Sequence, residues 1–113
     1  MVIVESEDDV LSLDLNFEII KTLDSRGLIV SSSGKDVDFV SRWFGPQTGV
    51  DEDPVTGSAH TLLTPFWAER LNKTKLKAKQ LSRRGGKLFC ELKENSVLIS
   101  GNASLYLRGE YFL

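Results

Sequence analysis

The segment Asp51-Glu52-Asp53-Pro54-Val55-Thr56-Gly57-Ser58-Ala59-His60 gathers the residues of this chain most able to do chemistry. Carboxylates crowd a loop, a proline turns it, and Thr-Gly-Ser leads into an apolar stretch with helical spacing. Such an entry suits an anion. Gly57 lets backbone come close to a ligand, Ser58 adds a hydroxyl, and the free amides of the first helical turn bring the positive end of the helix dipole. A carboxylate or phosphate would sit well there. Asp53 lies just before the turn, where its side chain could face a ligand and take or orient a proton. A plainer reading competes with this one: Asp53, Thr56 or Ser58 caps the helix and satisfies its orphan amides.

The remaining reactive side chains point to structural duties. Cys90 alternates with Leu88 and Leu92, which places it on the inner face of a strand. As the only cysteine it excludes an intramolecular disulfide and a two-cysteine racemase, and it fits a reducing, cytoplasmic setting. One Cys and one His cannot supply the ligands of a zinc cluster. His60 falls in the first helical turn and could contact an anion, although a surface or capping position suits it as well. Glu52 reads as part of a solvated loop. Lys73, Lys75, Lys77 and Lys79 alternate with Thr74, Leu76 and Ala78 and paint one strand face basic, a solvated face by default. No aromatic residue lies between Lys73 and Lys87, so a nucleic-acid surface with stacking side chains is not indicated. Arg84 stands apart, because the Arg84-Gly85-Gly86 turn could face a cleft.

These residues need elements to hold them. Val2 to Val4 reads as a short strand whose abrupt start looks cut. A short helix is expected from Asn16 to Leu23, with Asn16 as its cap and Phe17, Ile19, Ile20 and Leu23 at helical spacing. Strands are expected at Leu28 to Val30 and at Phe39 to Phe44. The longest helix should run from Ser58 to Leu71. Its apolar residues cover more than one stripe, so other elements should wrap it, and Pro65 should kink or break it near Thr61 to Thr64. Four strand-like runs follow: Lys75 to Ser82, Lys87 to Leu92, Val97 to Ser100 and Ala103 to Leu107. The whole predicts an α+β domain in which a curved, mostly antiparallel sheet or barrel closes around a central helix.

Length and composition set the frame. A chain of 113 residues fits one domain, and 41% hydrophobic residues is ordinary for a soluble globular protein. No apolar run approaches the roughly 20 residues of a membrane span, and the start carries no basic leader, so neither membrane insertion nor export is expected. A net charge of −2 gives no bulk attraction to nucleic acid or acidic membranes.

Several segments together resemble the signature of the phenazine-biosynthesis isomerase (PhzF-like) family. They are Arg42-Trp43-Phe44-Gly45-Pro46, Gly49, the run from Glu52 to His60, and Leu63-Thr64-Pro65-Phe66-Trp67. The resemblance continues through Gln80-Leu81-Ser82-Arg83-Arg84-Gly85-Gly86 and Val97-Leu98-Ile99-Ser100-Gly101-Asn102-Ala103, and covers nearly the whole chain. Eight contiguous motif residues from Asp53 to His60 make it specific. It implies a diaminopimelate epimerase-like fold: two similar domains, each a barrel around a helix, with the active site between them. Residues 1–113 would be the second domain. It further implies an isomerase that moves a proton between carbons of a small carboxylic acid, in a biosynthetic process, without metal or organic cofactor. Asp53 would be the catalytic carboxylate, with Thr56, Gly57, Ser58, Ala59 and His60 around the substrate. The family's acid/base glutamate and its assisting histidine belong to the first domain, and neither has a counterpart here. A partner supplying that half, or a homodimer that swaps its last segment from Tyr106 to Leu113, is therefore expected. The alternative is a non-catalytic interaction module that keeps the fold.

Overall fold

The computed structural model describes residues 1–113. Six strands form one sheet: β1 (Val2–Ile3), β2 (Leu28–Ser33), β3 (Phe39–Phe44), β4 (Lys75–Gln80), β5 (Gly86–Leu92) and β6 (Val97–Ser100). They lie side by side in the order of the sequence. β2 with β3, β4 with β5, and β5 with β6 are antiparallel, whereas β1 with β2 and β3 with β4 are parallel. The parallel β3–β4 pair needs a crossover, and the helix α3 (Gly57–Leu71) supplies it.

α3 packs on one face of this sheet. Its buried residues Ala59, His60, Leu63, Thr64, Trp67 and Ala68 recur three and four apart, which is a single helical stripe. Facing them are Ile29, Phe39, Trp43, Leu76, Ala78, Leu88 and Cys90, alternate residues of their strands. Trp67 lies at the centre, stacked on Phe39 with ring centroids 5.9 Å apart and its Nε1 donating to Ser31 Oγ at 3.0 Å. The opposite face is covered over β2 and β3 by α1 (Glu7–Leu11) and α2 (Phe17–Ile20), where Val10, Ile20, Val30, Val40 and Phe44 are buried. No helix is long and apolar enough to cross a membrane.

Four expectations change. The sheet is open, with β1 and β6 as its edges, so this chain alone closes no barrel. α3 is not wrapped on all sides: Leu62 is exposed, because the open sheet covers the helix from one side only. Pro65 does not break the helix, since the carbonyl it leaves unpaired belongs to exposed Thr61, where water can serve. Ala103 to Leu107 is no strand. It follows β6, has no neighbour to pair with, and is exposed along with everything from Gly101 to Leu113.

Two elements were legible only in part. Asn16 caps α2 as expected, its Oδ1 accepting from the amides of Glu18 and Ile19, but the helix ends at Ile20. α1 went unread, although Ser6 and Asp9 form a reciprocal capping box whose spacing is a recognisable sign.

Candidate active site

The loop before α3 is tied to the sheet at several points. The Asp53 amide donates to Trp43 O on β3 at 3.1 Å. The Asp53 carbonyl accepts from Gln80 Nε2, on the last residue of β4, at 2.8 Å. The same side chain accepts the Thr56 amide at its Oε1 (2.8 Å) and donates to Thr56 Oγ1 (3.1 Å). The Thr56 hydroxyl in turn donates to Asp53 Oδ2. A second tie lies alongside: Ser82 Oγ donates to Pro54 O at 2.7 Å and accepts from the Gly85 amide at 3.0 Å. Gly86 follows, where a Cβ would fall 2.2 Å from Val55 Cγ2, so a glycine is needed for the turn to approach this loop.

With Thr56 so engaged, no side chain caps α3. The amides of Gly57, Ser58 and Ala59 have no acceptor anywhere in the chain. Gly57 and Ser58 are exposed, and a Cβ placed on Gly57 would meet nothing within 4 Å. The helix start is therefore an open donor cradle with the half-buried Asp53 carboxylate in the preceding turn. The capping alternative fails for each candidate: Asp53 accepts a hydroxyl, Thr56 gives its hydroxyl to Asp53, and the Ser58 hydroxyl bonds no helix amide.

His60 lies elsewhere than on the surface. It is fully buried, its ring 5.8 Å from that of Phe39, and its Nδ1 meets Thr56 O at 2.8 Å. Since a carbonyl only accepts, Nδ1 carries the proton and Nε2 is left without a partner in the core. Burial holds its pKa below the usual histidine value, against the pull of the Thr56 carbonyl. The folded state therefore keeps His60 neutral while the unfolded chain takes up a proton below about pH 6.5. Stability conferred this way is complete above that pH and is lost as pH falls toward the folded pKa. Thermal melts at pH 7.5 and 5.5 should show a drop in the parent that a His60→Phe variant lacks in part; equal drops would exclude this role.

Glu52 is also not a free loop residue. It pairs with Arg42 through both carboxylate oxygens, at 2.6 and 3.1 Å, with both side chains about four-fifths buried. Arg42 lies over the Phe44 ring and donates to Val10 O, so this pair braces the loop from the α1 side. Cys90 is buried in the core, and burial pushes its thiol pKa up, away from a nucleophile's range. Lys75 and Lys77 are exposed on the solvent face of β4. Arg84 is exposed, and with Ser82 and Arg83 it borders the same shallow depression as Glu52 and Pro54. Gln80, which ties the loop to the sheet, entered the sequence reading only as part of a family-like segment and with no place at the site, because nothing in its local pattern shows what lies across the fold.

A family model described as phenazine biosynthesis-like protein matches residues 1–109. The chain belongs to that family. An uncharacterised isomerase of Pseudomonas aeruginosa is 49% identical over 113 residues, which is 100% of this chain and 44% of that protein. Phenazine biosynthesis-like domain-containing protein 2 of Mus musculus is 47% identical, over 87% of this chain and 38% of its own length. Among solved structures, a PhzF family protein of Enterococcus faecalis superposes with a TM-score of 0.90 at 49% identity, covering 98% of this chain and 43% of its own. The chain thus spans less than half the length of these family members.

Proposed function

We propose that this chain is the carboxy-terminal half of a cofactor-independent isomerase that moves a proton between carbons of a small carboxylic acid in a cytoplasmic biosynthetic process. The observation that carries this reading is the open helix start, with three unpaired amides following a fixed carboxylate. The amides of Gly57, Ser58 and Ala59 hold the substrate carboxylate, and Asp53 orients or exchanges a proton on the neighbouring carbon or hydroxyl. Thr56 and His60 act from behind, by holding the turn. Relatives named isomerase support the reaction class.

A proton shuttle needs a second group across the substrate and a site shielded from water. In this reading a complementary half provides both, together with strands that would close the sheet around α3 in a diaminopimelate epimerase-like barrel. The exposed outer side of α3 and the segment 101–113, with Leu105, Tyr106, Leu107, Tyr111 and Phe112 bare, favour such a partner, either another chain or a second copy. The same surface favours the second reading, an interaction module without catalysis.

Exchange of solvent deuterium into small hydroxy and amino acids separates the two. The pure chain, or the chain with its complementary half, should label the carbon next to the carboxylate. Absence of labelling in both samples, with tight assembly of the two halves, would overturn the enzymatic reading in favour of the module.

A further inference from the structure

We propose that Gln80 is the positioning residue of this site, a fully buried amide that fixes Asp53 through Thr56; this rests on Asp53 having the role given above. The direction of every hydrogen bond follows from one fact. A backbone amide can only donate, so the Gln80 atom facing Thr56 N is the oxygen, and the side-chain nitrogen must face Asp53 O and Thr56 Oγ1. Both amide hydrogens are then spent. Thr56 Oγ1 already receives one of them, so its single proton is free for Asp53 Oδ2, as observed.

The result is a one-way relay from Gln80 to Thr56 to Asp53. It holds the carboxylate at one oxygen and leaves the other for a ligand. It also locks Asp53 at both ends, because the Gln80 nitrogen grips the carbonyl of the residue whose side chain the relay ends on. Gln80 is fully buried at the end of β4, so the sheet itself sets the carboxylate's position. A glutamate at position 80 could accept from Thr56 N but could donate to neither other partner, and would set a second negative charge behind Asp53.

Three-bond couplings of the Asp53 side chain read the relay directly. The parent should show one χ1 rotamer. Gln80→Met, of similar size, should average the couplings over rotamers while the amide spectrum of β2 to β5 stays in place. Thr56→Val should average them too, although it keeps both Gln80 bonds to backbone, and Thr56→Ser should restore the single rotamer. Unchanged couplings in folded Gln80→Met would overturn the proposal. Should that variant fail to fold, Thr56→Val decides in the same way. Failure of catalysis to depend on Asp53 would be a separate result, since the couplings are read without substrate.

Discussion

Replacing Asp53 with alanine should, on the function proposed above, reduce solvent deuterium exchange by the chain with its complementary half about 10²–10⁴-fold, the span that a positioned acid or base usually contributes. The fold should survive. The side chain makes one hydrogen bond, with Thr56 Oγ1, and losing a single bond of this kind costs about 1 kcal/mol. Asp53→Asn sharpens the result, because an asparagine oxygen still accepts from Thr56 and keeps the geometry while removing the charge. Exchange in Asp53→Asn should be nearly as low as in Asp53→Ala. Parent-like rates in either variant, with folding verified by the amide spectrum, would remove Asp53 from the chemistry.

The largest effect on stability should come from Trp67. Its indole is stacked on Phe39, meets Phe66 edge-on at 5.3 Å, and spans the space between α3 and the sheet. Trp67→Ala deletes the centre of the core and leaves a cavity, a change that costs about 3–5 kcal/mol. A domain of this size has a total stability near the low end of about 5–15 kcal/mol, so the variant should be largely unfolded at 37 °C. Trp67→Phe should cost much less. It keeps a ring against Phe39 and gives up the bond to Ser31, whose hydroxyl still donates to Val40 O. Urea denaturation of the three proteins gives the ranking, and a Trp67→Ala midpoint equal to the parent's would mean that the core is centred elsewhere.

Much of the architecture could be read from local pattern. Phe39 to Phe44 and Val97 to Ser100 have the expected limits, and Asn16 announces its helix because capping is a matter of three residues. The site loop was legible for the same reason: glycine, hydroxyl and carboxylate sit within six residues. Long-range arrangement was not. Gln80 acts across 24 residues, and Glu52 finds Arg42 from the neighbouring strand. His60 looked like a surface residue because its type is polar, whereas its place four residues before Thr64 puts it on the buried stripe. Ala103 to Leu107 has the composition of a strand, but a strand forms only where an edge is offered to it.

The order of the strands has a consequence for how the molecule comes into being. Because each one lies beside its predecessor in the chain, a nascent polypeptide can lay them down in turn, every newcomer meeting a finished neighbour as it leaves the ribosome. The loop before α3 is made midway through this order and is tied only to β3, through the Asp53 amide and Glu52, until β4 brings Gln80 to it. The last ties of that loop are therefore set when residue 80 docks beside β3.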